Sequence, residues 1–281
     1  MKSVVVTGAS TGIGWATAKL LLGRGFRVFG SVRQQADADR LKSEFGANFT
    51  PLLFDVTDEA AVLAAAREVR STLNGETLAG LVNNAGIGVA GAVLEISADA
   101  FRRQMEVNVI GPLISTQAFG PLLGSDPSLK GPKGRIVMIS SVSGKSGSPL
   151  TSAYAASKHA IEGLSESLRR EMMLFGIDVI IIAPGAVKTP IWSKTDKTEL
   201  ATNSPFAPAL VKIRAFTKHL SEIGLPPEKI AERIFEALTS PNPKVRYQIT
   251  PDPMRHLIMS VLPKRTVDKL IARRLGLLPP A

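Results

Sequence analysis

The chain has 281 residues, of which 44% are hydrophobic and 21% charged, a composition typical of a globular domain rather than a disordered, collagen-like or coiled-coil chain. It contains no cysteine, which excludes disulfide bridges, thiolate zinc sites and a cysteine nucleophile. Its 34 Lys and Arg against 24 Asp and Glu leave a net charge of +10, which favours polyanionic partners such as nucleic acid, anionic membrane or phosphorylated ligands, with a solvated basic surface as the alternative.

Strand-like and helix-like segments alternate along the chain from its first residues. Apolar and β-branched runs predict strands at Ser3–Thr7, Phe26–Val32, Phe49–Phe54, Leu78–Val82, Arg135–Ser140, Ile177–Ala183 and Val245–Thr250. Spacing and composition predict helices over residues 12–24, 36–45, 58–73, 98–119, 152–175 and 228–238. Near-continuous apolar strands between helices indicate a parallel sheet covered on both faces, hence an α/β doubly wound Rossmann fold. We predict a single domain over residues 1–281.

Two regions fall outside this alternation. Residues 184–225 are rich in Pro, Thr, Ser and Lys without strong periodicity, which predicts a lid or substrate-binding flap. Residues 251–281 form a C-terminal extension with six Lys and Arg against Asp252 and Asp268, and apolar residues recur there at helical spacing. We expect this apolar stripe to pack on its own domain or on a subunit partner. Contact of an amphipathic basic helix with an anionic membrane is the alternative.

A glycine-rich turn follows the first predicted strand and opens the first predicted helix. It reads Thr7-Gly8-Ala9-Ser10-Thr11-Gly12-Ile13-Gly14. Glycines let the backbone turn sharply and approach a pyrophosphate, while the helix N-terminus offers N–H groups and a positive dipole end to the phosphates. The strand–turn–helix context favours a dinucleotide site over a plain tight turn.

The end of the second predicted strand indicates which dinucleotide is bound. In NAD sites an acidic residue about 20 residues past the glycines holds the ribose hydroxyls. Here the chain reads Gly30-Ser31-Val32-Arg33, with a basic residue where a 2′-phosphate would need one. A guanidinium donates several charged hydrogen bonds to a phosphate. We therefore predict NADP(H), with a solvated arginine and loose acceptance of NAD as the alternative.

Hydroxyl and amine groups suited to proton transfer follow the fifth predicted strand. Tyr154 and Lys158 stand four residues apart and share one face of a predicted helix. An ammonium near a phenol favours the phenolate, so we expect Lys158 to lower the pKa of Tyr154. Ser140 and Ser141 end the strand, where a hydroxyl can donate to a substrate carbonyl; a serine that caps the next turn is the alternative.

Together with further segments, these motifs resemble the main type of the short-chain dehydrogenase/reductase family over about residues 1–190. TGASTGIG at 7–14 resembles the family's TGxxxGxG, NNAG at 83–86 its sheet-stabilising segment and PGAVKT at 184–189 its PGxVxT. Asp55 resembles the acid that contacts the adenine amine. Asn108 resembles the helix-kink asparagine, and Ser141, thirteen residues before Tyr154, the catalytic serine. Arg33, directly after Val32 at the site of the NAD-type acid, fits the family's NADP arrangement.

The resemblance implies a mechanism in which the cofactor carries a hydride. Tyr154 would exchange the proton of the substrate oxygen, Lys158 would hold the nicotinamide ribose, Ser141 would polarise the carbonyl, and Asn108 would anchor a water that links Lys158 to solvent. The implied catalytic residues are Asn108, Ser141, Tyr154 and Lys158. The implied cofactor-binding residues are Gly8, Ser10, Thr11, Gly12, Ile13, Gly14, Arg33, Asp55, Val56, Asn83, Ala85, Gly86, Tyr154, Lys158, Pro184, Gly185, Val187 and Thr189. Substrate binding is predicted at Ser141, Tyr154, Ile191 and Trp192.

The substrate is less closely specified. Apolar residues in 190–225 favour a hydrophobic ketone, aldehyde or alcohol, such as a steroid- or retinoid-like compound, although packing of a helical flap also accounts for them. The family implies a homodimer or homotetramer. Two non-enzymatic hypotheses remain: a dinucleotide-sensing regulator, against which the intact tetrad argues, and a nucleic-acid-binding protein, which lacks an aromatic stacking platform.

Metal and targeting signals are absent from the sequence. His159, His219 and His256 are far apart and form no HExxH pattern, so no metal site is predicted. The apolar stretch near the N-terminus is only three valines, too short for a signal-peptide core, and no apolar run is long enough to predict a spanning helix. We expect a cytoplasmic protein.

Overall fold

The computed structural model describes residues 1–191 and 203–279. Seven strands form one parallel sheet in the order β3-β2-β1-β4-β5-β6-β7. The chain turns back across β1 to reach β4, as in doubly wound nucleotide-binding folds, which confirms the predicted fold class. The strands are Ser3–Val6 (β1), Arg27–Val32 (β2), Phe49–Leu53 (β3), Gly80–Asn83 (β4), Arg135–Ile139 (β5), Asp178–Pro184 (β6) and Arg246–Ile249 (β7).

Helices cover both faces of the sheet. They are Gly12–Gly23 (α1), Gln35–Phe45 (α2), Glu59–Leu73 (α3), Ala98–Met105 (α4), Gly111–Phe119 (α5), Ser152–Met172 (α6), Ala207–Ile223 (α7), Pro227–Thr239 (α8), Pro253–Val261 (α9) and Lys264–Leu275 (α10). Successive strand side chains point to opposite faces, so Val5 packs in one cluster with α3, α5 and α6. Its neighbours Val4 and Val6 pack in the other cluster with α1, α2 and α8. Burial on both faces is why the central strands are apolar at consecutive positions.

The helix predicted over 98–119 is interrupted in the structure. A π-helical turn, Glu106–Ile110, joins α4 to α5, and the Gly111 N–H donates to the Glu106 carbonyl five residues back. Pro112, in the first turn of α5, has no N–H to donate to the Asn108 carbonyl four residues earlier. The missing donor accounts for a wider turn at this point, and the turn contains Asn108.

The segment 184–225 contains a helix that the sequence analysis did not predict. In α7, Ala209 and Leu210 are buried, and they pack with Ala92, Leu150, Phe206 and Leu277. The Pro-, Thr-, Ser- and Lys-rich composition of the whole segment made the helical spacing of the apolar residues within α7 hard to recognise. The role of the segment as a flap stays a prediction, and Trp192 lies outside the described residues.

The C-terminal extension forms two helices, α9 and α10, rather than one. Pro263 separates them and precedes the first residue of α10. The helix α10 packs on α7, and Leu275 near its end is buried. Within residues 1–191 and 203–279, no helix is both long and apolar enough to cross a lipid bilayer.

Candidate active site

A cleft runs along the carboxyl ends of the strands, where a doubly wound sheet places its ligands. Loops that follow β1 to β6 line it. Among the predicted site residues, the lining contains Gly8, Ser10, Thr11, Gly12, Ile13, Arg33, Asp55, Val56, Ala85, Gly86, Ser141, Tyr154, Lys158, Pro184, Gly185, Val187, Thr189 and Ile191. Gly14, Asn83 and Asn108 lie outside it. The cleft is also lined by residues to which the sequence assigned no role in a site: Ser31, Phe54, Asn84, Ile87, Gly88, Val107, Ile139 and Pro190.

The glycine-rich turn between β1 and α1 is tightly packed or left-handed at its three glycines. Gly8 and Gly12 adopt positive φ angles of 68° and 60°, which favour glycine. A Cβ on Gly14 would lie 2.2 Å from the Gly8 carbonyl oxygen and 2.6 Å from Asn84 Nδ2. Thr11, which precedes α1, makes no side-chain cap. The backbone of the turn and the amide groups of the helix start are therefore presented to the cleft, as an anionic phosphate group requires.

Asn84, rather than its neighbour Asn83, supports this turn. Asn84 Nδ2 donates to the carbonyl oxygens of Thr7 at 2.9 Å and Gly8 at 3.1 Å. Asn83 points the other way and donates to Thr116 Oγ1 at 3.0 Å, so it joins β4 to α5. The motif NNAG was the signal for both residues, but sequence alone could not show which asparagine faces the cleft.

Arg33 and Asp55 lie together at one end of the cleft, after β2 and β3. Arg33 Nη1 is 3.9 Å from Asp55 Oδ2, and the arginine side chain is 57% exposed. Burial by itself raises the pKa of Asp55, but hydrogen bonds from Thr57 and the charges of Arg33 and Arg103 outweigh it and lower that pKa. The result is an exposed guanidinium at the cleft edge beside an ionised carboxylate.

Ser141 and Tyr154 meet at the other end of the cleft. Ser141 Oγ accepts a hydrogen bond from the Ser143 N–H at 3.1 Å, so this serine does cap the next turn, and it also lines the cleft. Burial raises the pKa of the Tyr154 phenol, and a hydrogen bond with the Ser141 hydroxyl opposes this rise. A tyrosine with a raised pKa is a protonated phenol at neutral pH.

Lys158 lies one turn beyond Tyr154 on α6, as the four-residue spacing predicts. Its Nζ donates to the Ile139 carbonyl oxygen at 2.8 Å and lies 5.7 Å from the centre of the Tyr154 ring. Burial lowers the pKa of Lys158 to about 8, and the charge of Glu162 opposes this fall. The expectation that Lys158 lowers the pKa of Tyr154 is not met here, because burial of the phenol dominates and the ammonium is directed to a carbonyl.

Asn108, which lies in the π-helical turn, is hydrogen-bonded to the loop that follows β4. Its Oδ1 accepts from the Ile87 N–H at 2.9 Å, and its Nδ2 donates to the Ile87 carbonyl at 3.0 Å and to Ser157 Oγ at 3.1 Å. Gln104 holds the same loop, since its Oε1 accepts from the Val89 N–H at 2.7 Å. The two amides position the cleft wall against α6. The predicted role of Asn108 as a water anchor stays a prediction.

Glu162, a buried carboxylate one turn beyond Lys158, was not singled out from the sequence. Its side chain is 5% exposed, and its Oε1 accepts from Ser140 Oγ at 2.7 Å. Arg246 on β7 donates through Nε to Oε1 at 3.2 Å and to Oε2 at 3.0 Å. Lys145 Nζ lies 3.8 Å from Oε2. One carboxylate therefore joins the end of β5, α6 and β7 next to the candidate catalytic groups, and its spacing from Tyr154 and Lys158 was the available signal.

Comparison with known proteins places these features in a family. The family model described as short chain dehydrogenase matches residues 2–200. The NADPH-dependent 3-dehydrocapnine reductase of Ornithobacterium rhinotracheale is 35% identical over 98% of this chain and 98% of its own. Human retinol dehydrogenase 5 is 32% identical over 95% of this chain and 87% of its own.

Solved structures agree with these sequence relatives. A short-chain dehydrogenase from Streptomyces avermitilis is 30% identical with a TM-score of 0.76, covering 97% of this chain and 94% of that one. A short chain dehydrogenase/reductase from Burkholderia phymatum, solved in complex with NAD, has a TM-score of 0.80 at 23% identity, covering 96% of this chain and 95% of that one. At that identity the second likeness shows the fold alone.

The Glu162–Arg246 pair generates a stability prediction. Glu162→Gln leaves Arg246 and the buried Lys158 without this carboxylate, so we expect the free energy of unfolding to fall by about 3–5 kcal/mol. The double variant Glu162→Gln with Arg246→Gln should lose less free energy of unfolding than the two single variants lose in sum, because both charges of the pair are then removed. Urea denaturation of the four proteins measures this coupling. The matched control is Glu166→Gln, which breaks an exposed ion pair with Arg170 and should cost less than about 1 kcal/mol. Strict additivity of the first two changes would contradict the coupling.

Proposed function

Because the chain belongs to the short-chain dehydrogenase/reductase family, we propose that it is an NADP(H)-dependent oxidoreductase that interconverts a carbonyl compound and the corresponding alcohol. The observation that carries this proposal is the hydrogen-bonded pair of Ser141 and Tyr154 hydroxyls at the cleft, with the Lys158 ammonium beside the phenol ring. The cleft also offers the glycine-rich turn and the start of α1 to a dinucleotide. Members of this family bind a nicotinamide cofactor, which supplies or accepts the hydride when bound.

The dinucleotide would lie along the cleft from Arg33 to Tyr154. Gly8, Gly12 and the first amides of α1 would hold its pyrophosphate. The two positions require glycine, since a Cβ there would be strained or would clash. Arg33 would pair with a 2′-phosphate, and Asp55 and Val56 would contact the adenine end. Ala85, Gly86 and the stretch from Pro184 to Thr189 would bound the ribose and nicotinamide side.

Tyr154 is the proton donor in the direction of reduction. Its raised pKa keeps the phenol protonated at neutral pH, so the Tyr154 Oη–H can be transferred to the carbonyl oxygen as that oxygen becomes an alkoxide. Ser141 Oγ–H lies beside it and can donate to the same oxygen, which stabilises the developing negative charge. The Lys158 ammonium then stabilises the tyrosinate that remains, and in the direction of oxidation the tyrosinate takes the alcohol proton back.

We propose a hydrophobic substrate. Ile87, Val187 and Ile191 line the cleft that also contains Ser141 and Tyr154. Apolar walls of this kind favour an apolar ketone or aldehyde over a charged one. The names of the reductase and the retinol dehydrogenase described above are consistent with a carbonyl or alcohol substrate.

Removal of one hydroxyl tests the mechanism. Tyr154→Phe keeps the ring but removes the proposed proton donor, so turnover of a carbonyl substrate should fall by at least about 100-fold while NADPH still binds. The readout is NADPH absorbance in a screen of apolar ketones and aldehydes, with binding followed by fluorescence. The matched control is Tyr247→Phe on β7, whose hydroxyl accepts a hydrogen bond from the Lys244 N–H away from the cleft lining and which should leave turnover near that of the unaltered chain. Near-normal turnover of Tyr154→Phe would refute the mechanism.

The acid–base state of Lys158 predicts a pH dependence. The pKa of Lys158 is lowered to about 8, so the ammonium is present below that pH and is lost above it. Turnover in the direction of reduction should therefore fall as pH rises through about 8. Glu162→Gln removes the charge that raises this pKa, so the fall should move to lower pH. A pH profile of turnover for both proteins checks this, and an unchanged midpoint would contradict the role of Lys158.

Cofactor choice is the third test. NADPH carries one more phosphate than NADH, and a charged hydrogen bond from Arg33 is worth about 1.5–3 kcal/mol, so we expect roughly a 10- to 100-fold preference for NADPH. Arg33→Ala should lower the affinity for NADPH by a similar factor and leave the affinity for NADH nearly unchanged. Arg67→Ala, an exposed arginine on α3, is the matched control. Calorimetric titration measures the affinities of the three proteins for both cofactors, and equal affinities in the unaltered chain would count against NADP(H).

A further inference from the structure

The two C-terminal helices differ in how exposed their apolar side chains are. On α10, Leu275 is 8% exposed and Val267 and Ile271 are half-buried, while Leu270 is 47% exposed, so this helix turns most of its apolar side to the protein. The guanidinium of Arg274 also lies 4.8 Å from the centre of the Phe216 ring of α7, a cation–π contact between α10 and α7. The expectation that the apolar stripe of the tail packs on its own domain holds for this helix.

The helix α9 turns its apolar side to solvent instead. Met254, Leu257, Ile258 and Val261 follow the spacing i, i+3, i+4, i+7, which places them along one face. They are 67%, 58%, 49% and 74% exposed. We call these four residues the α9 stripe. The α9 stripe therefore does not pack on its own domain, and of the two expected partners only a second subunit is left for it, since its four large apolar side chains face solvent in the single chain.

Charge around the α9 stripe distinguishes between possible partners. Residues 251–281 contain six Lys and Arg against two Asp, a net charge of +4. On α10, Lys264, Arg265, Lys269 and Arg273 are all exposed. With spacings of four residues from Arg265 to Lys269 and from Lys269 to Arg273, three of these cations lie along one side of the helix. The exposed apolar stripe of α9 and the exposed cations of α10 together supply the apolar and electrostatic contacts that hold interfacial helices on anionic lipid.

A second copy of the chain is the competing occupant, and the stripe suits it less well. Stable protein interfaces bury on the order of 1,200–2,000 Å² in total, which four side chains on one nine-residue helix do not approach. Two copies that met through this stripe would also bring two strongly basic tails together, and the charges would repel each other. An anionic surface gains from both the apolar and the charged contacts.

We propose that α9 and α10 form a membrane-docking surface, in which the α9 stripe enters the headgroup region of an anionic bilayer and the exposed cations of α10 pair with lipid phosphates. The helices lie on the bilayer and do not span it. This inference is independent of the proposed function, because it concerns the tail alone and needs no catalytic step.

Cosedimentation of the full chain with lipid vesicles tests the proposal. The probes are vesicles of phosphatidylglycerol mixed with phosphatidylcholine and vesicles of phosphatidylcholine alone. We expect the chain to sediment with the anionic vesicles at low ionic strength, and to bind phosphatidylcholine alone, or anionic vesicles at high ionic strength, at least about tenfold more weakly. Failure to sediment with anionic vesicles, or equal binding to both lipids, would overturn the proposal.

Two sets of substitutions separate the apolar contribution from the charge. Ile258→Ser with Val261→Ser removes half of the α9 stripe without changing charge, and should weaken vesicle binding by at least about tenfold. Its matched control is Met173→Ser with Leu174→Ser, two residues just after α6 that are 75% and 82% exposed and should not affect binding. Arg265→Gln with Lys269→Gln and Arg273→Gln should remove the preference for anionic lipid.

The same variants decide between lipid and a second copy. Thermal melting of each variant shows that it remains folded, and analytical ultracentrifugation without vesicles gives its oligomeric state. We expect the α9 variant to change vesicle binding and not the oligomeric state. If it dissociates an oligomer and leaves vesicle binding unchanged, the stripe is an interface between copies of the chain and the proposal is wrong. Equal loss of binding in the α9 and control variants would also overturn it.

Discussion

The whole structure depends on burying a short strand, β1, on both of its faces. Val4, Val5 and Val6 are completely buried, and the sheet continues in opposite directions on either side of them. Helices cover both faces, so polar chemistry is left to the carboxyl ends of the strands, where β1 and β4 separate. The glycine-rich turn, the support from Asn84 and the catalytic groups all gather along this edge, because the helices that cover the two faces leave it open.

The candidate catalytic groups are held by a buried charge network behind them. Lys158 and Glu162 occupy successive turns of α6, and Arg246 reaches the same carboxylate from β7. A Cβ on Gly144 would lie 2.7 Å from Ser140 Oγ and 2.8 Å from Glu162 Cγ, so the turn that carries Ser141 closes tightly over the network. The arrangement fixes Ser141 and Tyr154 relative to each other while the carboxylate keeps the buried lysine more basic than burial alone would allow.

The tail contrasts with this tight packing. The helix α10 contributes Leu275 to the protein interior, and Leu277 just beyond it packs with Leu150 and Leu210. The tail is thus connected through α7 to the residues that precede Tyr154. A helix whose apolar side faces water, attached to a body so well packed elsewhere, is a surface feature that folding alone does not account for.

Local sequence determined a large part of this protein. β-branched runs and helical spacing defined the strands nearly to the residue, because strands buried on both faces must be apolar throughout and helices must show their stripe. The glycines at 8, 12 and 14 and the pair of Tyr154 and Lys158 were equally visible, since close backbone approach and a shared helix face each require a fixed local spacing. Where the chemistry is set by neighbours in sequence, the sequence was sufficient.

Tertiary structure decided what depends on distant neighbours. Which of Asn83 and Asn84 supports the glycine-rich turn depends on the face that each presents at the end of β4, and that alternation is set by the sheet. Glu162 is an ion-pair partner only because β7 places Arg246, 84 residues further along the chain, beside its carboxylate. The pKa of Tyr154 is raised rather than lowered because burial, a property of the whole fold, outweighs the hydrogen bond with Ser141. The same holds for the tail, where apolar residues at helical spacing are mostly buried or half-buried on α10 and exposed on α9, since burial requires a partner surface that spacing alone cannot reveal.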